Sequence, residues 1–124
     1  MKVIIDTNFL LIPGTLGVDI FSQLYSIDPS AELCIIDRTI DELEKIKRKQ
    51  KKFKQAAELA LQLIKANKVK AIKTEKVKNV DQIIAEKAEK GYVVATQDKL
   101  LKKQLREKHI PVIILRQKKY LKLE

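Results

Sequence analysis

The grouping of apolar residues constrains this chain more than any other feature. Val3-Ile4-Ile5, Leu33-Cys34-Ile35-Ile36, Tyr92-Val93-Val94-Ala95 and Pro111-Val112-Ile113-Ile114-Leu115 are continuous apolar runs, rich in β-branched residues and without polar alternation. A strand points successive side chains to opposite sides, so a strand apolar on both sides must be covered on both faces. Between the runs the spacing changes. Phe53, Ala56, Ala57, Ala60, Leu61 and Ile64 recur at i, i+3, i+4, i+7, i+8 and i+11, which is one face of a helix. Strands that alternate with helices and are buried on both sides define an α/β chain with a parallel sheet between two helical layers.

The remaining segments fit that plan. Val18 to Tyr25 reads as a short helix after the Pro13-Gly14 punctuation, and Thr39 to about Lys49 as a helix after the second strand. Val69 to Ile72 reads as a short strand. Asn79 to Lys90 reads as a helix stopped by Gly91, and Asp98 to Lys108 as the helix before the last strand. The polar triplet Asp6-Thr7-Asn8 reads as a loop. The tail from Arg116 is basic and fits a sheet edge, a dimer contact or a disordered end equally well. With 124 residues and no linker or repeat, residues 1–124 read as one domain.

Charge narrows the function. The chain carries 26 Lys and Arg against 16 Asp and Glu, a formal net charge of +10, which favours polyanionic partners and nucleic acid first. Aromatic residues are 5% with no Trp, which disfavours a single-strand binder that works mainly by base stacking. One cysteine, Cys34, excludes an internal disulfide and a Cys-rich zinc site. No apolar run is of bilayer-spanning length, and Asp6 interrupts the first apolar stretch, so the expectation is a cytoplasmic protein with no membrane partner.

The acids then fall in a pattern. In an open α/β sheet ligands bind beyond the carboxyl ends of the strands. Asp6 follows the first strand and Asp98 the strand ending at Thr96, while Glu42 and Asp81 lie in the first turns of two helices that start at that edge. Each acid also has a structural role available. Thr39-Ile40-Asp41-Glu42 matches a capping box, Asp81 meets a helix dipole, Asp98 is placed as an N-cap, and Asp6 can begin a turn. Four such placements at one edge of a basic protein favour a shared role. Four carboxylates repel one another unless protonated or bridged by cations, and hard oxygen ligands select Mg²⁺ or Mn²⁺. A dense basic run, Lys45, Lys47, Arg48, Lys49, Lys51, Lys52 and Lys54, is either a phosphate-contacting arm or a solvated helix end, and Lys99, Lys102, Lys103 and Arg106 extend the same possibility.

These motifs, Val3-Ile4-Ile5-Asp6-Thr7-Asn8, Asp41-Glu42-Leu43, Asp81-Gln82-Ile83-Ile84-Ala85 and Ala95-Thr96-Gln97-Asp98, resemble in order and spacing the four acidic motifs of the PIN-domain nucleases. The resemblance runs over essentially the whole chain. It implies a three-layer α/β/α fold with a central five-stranded parallel sheet. It also implies Mg²⁺ or Mn²⁺ held by Asp6, Glu42, Asp81 and Asp98, with hydrolysis of RNA, and support of the acids by Thr7, Asn8 and Thr96. Phe9-Leu10-Leu11-Ile12-Pro13, Gly17-Val18-Asp19-Ile20-Phe21 and Ile110 to Arg116 look most like an archaeal branch similar to the small-subunit ribosomal-RNA processing nucleases. The other branch is the toxin of toxin–antitoxin pairs. The branch decides whether a ribosome-assembly partner or an antitoxin is expected, and many members are homodimers. Three positions depart from the patterns: Leu100 stands where toxins often carry a second acid, Gln82 where the ribosomal branch often carries one, and Gln97 replaces a commoner Asn. A catalytically weak RNA-binding module is a rival reading. A receiver-like signalling domain is disfavoured by the single early acid and the basic charge.

Overall fold

The computed structural model describes residues 1–74 and 79–124, the side chains of Val80 and Asp81 excepted. Its strands are β1 (Lys2–Ile5), β2 (Glu32–Ile36), β3 (Lys70–Ile72), β4 (Tyr92–Ala95), β5 (Val112–Arg116) and β6 (Tyr120–Leu123). Its helices are α1 (Thr7–Leu10), α2 (Ile12–Leu16), α3 (Ile20–Ile27), α4 (Asp37–Lys49), α5 (Lys54–Ala66), α6 (Val80–Ala88) and α7 (Lys99–Glu107), with a 3₁₀ turn at Lys51–Phe53. One sheet runs in the order β3-β2-β1-β4-β5-β6, parallel throughout except for β6, which is antiparallel to β5.

The continuous apolar runs work as expected. In β1, Val3 and Ile5 enter one core while Ile4 enters the other; in β5, Ile113 faces the first and Val112 and Ile114 the second. The first core takes Phe9, Leu10, Ile12, Ile20, Phe21, Leu24, Leu43, Ala57, Ala60 and Ile64 from α1–α5. The second takes Ile83, Ile84 and Ala88 from α6 and Leu101 and Leu105 from α7. Right-handed crossovers explain the division. The chain steps from β1 to β2 to β3 in one direction, then returns past β1 to β4 and β5 in the other, so the helices of the two halves fall on opposite faces. Direction therefore reverses between β1 and β4, the point at which such sheets leave a crevice beyond their carboxyl ends.

Three sequence expectations need correction. The sheet has six strands, not five. The tail folds back through a turn with Gln117 (φ 52°) and Lys118 (φ 55°) both left-handed, closed by Lys119 N–H to the Arg116 carbonyl at 3.0 Å. Neither residue is the Gly or Asn that announces such a turn. The new edge is tied down by Gln23, whose amide donates to the Lys119 carbonyl at 3.1 Å and accepts from Leu121 N–H at 2.6 Å. Second, the segment after Asp6 is helical in α1 and α2, and Pro13 is accommodated because the first helical turn needs no N–H there. Third, α4 starts at Asp37 with Ile36 as its N-cap, three residues before the Thr39 cap that the capping box required, so Thr39 is inside the helix and completely buried.

Two details fix the site. Gly14 of α2 abuts α5 so closely that a Cβ there would come within 2.6 Å of the Ala56 Cβ. α5 then descends to the amino-terminal edge, where Val69 N–H bonds the Ile64 carbonyl at 3.0 Å and the chain enters β3 beside Cys34. A 13-residue helix is about 20 Å long, so the α4–α5 tip stands on the carboxyl-end side of the sheet.

Candidate active site

Asp6 leaves β1 at the reversal point. Its backbone N–H bonds the Ala95 carbonyl at 2.9 Å, which continues the β1–β4 ladder by one step. Its extended φ/ψ of −72°/153° then turns the chain into α1, and Oδ1 caps that helix by accepting from Thr7 N–H at 2.9 Å. The residue is 7% exposed. A carboxylate buried to this degree needs compensation, and part of it comes from Thr96, whose Oγ1 donates to Asp6 Oδ2 at 2.9 Å.

Thr96 is wholly buried and has a second duty: its Oγ1 accepts from Asp98 N–H at 3.0 Å. A hydroxyl has one proton, so accepting from Asp98 leaves that proton for Asp6. One side chain thereby sets the spacing between the first and last acids, 92 positions apart in the sequence. Asp98 is the N-cap of α7, with Oδ1 accepting from Leu101 N–H at 3.0 Å. The structural reading of Asp98 as a cap thus holds, with Oδ1 as the oxygen that the cap uses.

Glu42 is in the second turn of α4, since that helix begins earlier than the sequence suggests; it is half-buried, with Oε1 shielded from solvent. The Thr39 hydroxyl, one turn before it, is 3.4 Å from the Thr7 hydroxyl, so α1 and α4 meet through two buried threonines. The sequence offered Thr39 only as a cap, and nothing local marks it as part of the site. Asp81 lies in the first turn of α6, whose N-cap Asn79 accepts from Gln82 N–H at 2.8 Å; the Asp81 side chain is outside the described residues. Asn8 is exposed on α1, its carbonyl serving Leu11 N–H at 3.2 Å. Among the described residues no three His, Cys, Asp or Glu side chains form a group able to hold a metal ion. The structure links Asp6 to the Asp98 backbone through the Thr96 hydroxyl, and places Glu42 on an element in contact with α1.

A fifth acid was not singled out from the sequence. Asp37, at the start of α4, accepts from Arg38 N–H at 2.9 Å, Thr74 N–H at 3.1 Å and Thr74 Oγ1 at 2.6 Å. The Thr74 hydroxyl, with backbone N–H groups, holds the Asp37 carboxyl below the usual range. It thereby ties the segment after β3 to the end of β2. Cys34 is buried, and burial pushes its thiol up, consistent with a small core hydrophobe.

The basic residues divide into two groups. Lys47, Arg48, Lys49, Lys51 and Lys54 line a surface depression of about 490 Å³ at the α4–α5 tip. Lys45 and Lys52 are exposed beside it, and Lys47 is 3.6 Å from Glu44. Lys99 and Lys103 are exposed on α7 and Lys102 is half-buried. Arg106 pairs with Glu124 at 3.3 Å.

Fold, strand order and paired acids define a class, and comparison with known proteins agrees. A family model described as "PIN like domain" matches residues 3–118, so this chain belongs to the PIN-like domain family. It is 30% identical over 126 residues to Ribonuclease VapC4 of Methanocaldococcus jannaschii, spanning 98% of this chain and 95% of that protein. Among solved structures it is similar to the PIN domain endonuclease Utp24, with 28% identity and a TM-score of 0.80 over 99% of this chain and 90% of that one. A domain of a functionally unknown protein from Methanocaldococcus jannaschii superposes with a TM-score of 0.64 over 93% of this chain and 91% of that one; at 17% identity it shows the fold alone. Among the described residues no helix is long and apolar enough to cross a membrane.

Proposed function

We propose that this chain is a metal-dependent endoribonuclease whose site lies at the carboxyl ends of β1 and β4. The observation that carries this reading is the buried Thr96 hydroxyl held between the Asp6 carboxylate and the Asp98 backbone. A carboxylate is costly to bury, and burying one at the reversal point with its orientation fixed favours a cation-binding role over a turn. The oxygen-only donor set suits Mg²⁺ or Mn²⁺, which Asp6, Glu42, Asp81 and Asp98 would hold. A divalent ion there supplies Lewis-acid activation of water and neutralises charge on the leaving oxygen. Thr7 N–H and Thr96 Oγ1 orient Asp6, and the α7 cap orients Asp98. The basic tip and the start of α7 would then hold RNA phosphates on either side, without reading sequence.

The ribosomal-processing branch is our first assignment for the RNA target, supported by the motif resemblance and the similarity to Utp24. The relatedness to Ribonuclease VapC4 favours a second assignment, a toxin-type ribonuclease held by an antitoxin. Against it, Leu100 occupies the place where toxins often carry another acid.

The test is cleavage of a structured and a single-stranded RNA with Mg²⁺, Mn²⁺ or EDTA, by wild type, Asp6→Asn and Asp98→Asn. Metal-dependent cleavage that falls at least about 100-fold in both folded variants is expected, the scale of losing an electrostatic group at a reacting centre. RNA binding without cleavage under either metal would replace the enzyme with a binding module. Equal cleavage by all three proteins would remove the site.

A further inference from the structure

The helices of the second core, α6 and α7, leave between them a groove of about 740 Å³. Its upper end, toward the acids, is lined by Asn79, Gln82, Leu100 and Gln104; its lower end reaches Glu107 and Lys108. α7 is amphipathic in a way that builds this wall. Leu101 and Leu105 are buried against the sheet, while Leu100 and Gln104, one turn apart, face the groove. Leu100 is 65% exposed, the most exposed large apolar side chain among the described residues. It is two positions past Asp98, and Gln82 is one position past Asp81.

We infer that this groove receives a nucleobase of the RNA, next to the bond that is cut, and gives the enzyme a base preference there. The inference rests on the ribonuclease reading above. The chemistry of the lining selects the occupant. Among the described residues the upper wall has no cation, which disfavours a phosphate there; the Lys108 ammonium at the lower end is engaged by Glu89 at 2.6 Å. Its described lining has one large apolar platform and three carboxamides, with Ala85 and the Glu86 carboxylate following on α6. A base offers a flat apolar face and an edge of donors and acceptors, and each carboxamide both donates and accepts. Asn79 Oδ1 is used as the α6 cap, which leaves its NH₂ as a donor to the groove. A docked amphipathic helix would require several apolar contacts at i, i+3, i+4 and i+7 spacing, whereas Leu100 is the one large apolar residue lining the groove among the described residues. The phosphates on either side of such a base would be met by cations outside the groove, among them Lys99 and Lys103.

Two measurements test this. Cleavage positions are mapped in a randomised RNA pool with Mn²⁺ for wild type, Leu100→Ala, Gln82→Ala and Gln104→Ala. Separately, the four nucleoside 5′-monophosphates and ribose 5-phosphate are titrated in EDTA while the Gln82 and Gln104 side-chain amides and the Leu100 methyls are followed by NMR. The expected result is a preference at one nucleotide flanking the cut, reduced roughly tenfold by the substitutions, the scale of one lost base contact. At least one monophosphate should shift these signals and ribose 5-phosphate should not. An unchanged base profile in all three variants, with wild type cleaving, would overturn the inference and leave the ribonuclease standing. Equal shifts from ribose 5-phosphate, or none from any monophosphate, would overturn it too. If wild type cleaves nothing, the ribonuclease reading fails by itself, and the titration still decides what the groove binds.

Discussion

The two faces of the sheet differ in depth. The first is covered by α1–α5, and its core is sealed by Phe9, Phe21, Leu24 and Leu43, all nearly or wholly inaccessible. The second is covered by two helices that pack on the sheet and leave the Leu100 groove open between them. The acids sit between the faces, at the rim. Asp6 opens the helical layer of the first face through α1, and Asp98 opens α7 on the second. The difference teaches that one face supplies rigidity and the other supplies access, while a hydroxyl between them, Thr96, sets the distance.

The sharpest way to break this division is to empty the thick face. Phe9→Ala should cost about 3–5 kcal/mol in urea denaturation. Leu100→Ala on the open groove should change stability by no more than about 0.5 kcal/mol. Similar costs for the two would mean that the groove is closed in solution. Next comes the rim. Thr96→Val keeps the shape but removes the hydroxyl, leaving a buried carboxylate oxygen and the Asp98 N–H short of a partner, at a cost of about 1–3 kcal/mol. The same change should weaken Mn²⁺ binding by calorimetry, and Thr96→Ser should restore it; a Ser variant as defective as Val would show that the methyl group, not the hydroxyl, matters.

A comparable cost, about 1–3 kcal/mol, is expected for Gly14→Ala, because α2 and α5 must separate to admit the new Cβ beside Ala56. A variant that melts at the wild-type temperature would show that the thick face can yield there. The smallest effect concerns Asp37. Its carboxyl titrates below its ordinary value of 3.8, so the bonds from Thr74 add stability above that value, and the addition is lost as pH falls through the lowered one. Asp37→Asn should therefore be less stable than wild type at pH 7, with the gap closing as the pH falls through the lowered value. A gap that persists into acid would assign the effect to packing instead of charge.

Much of this was readable from local pattern. The continuous apolar runs announced a sheet covered on both sides, and the helical spacing around Ala56–Ile64 announced α5. Misreadings arose where local signals competed or were missing. Thr39 and Glu42 match a capping box, yet the chain turns helical as soon as β2 ends, so the box is bypassed. The β5–β6 turn lacked its usual residues, and β6 buries Leu121 alone among its four residues, too little apolar pattern to predict.

What the sequence by itself determined is the class of fold and the order of the acids, because a strand's two-residue period and a helix's turn are properties of neighbouring residues. The pairing of Asp6 with Thr96, the split of the helices between a thick and a thin face, and the groove beside Leu100 were decided by tertiary structure. They depend on β1 lying next to β4, with about ninety residues between them, and a local period carries no information about which strands become neighbours.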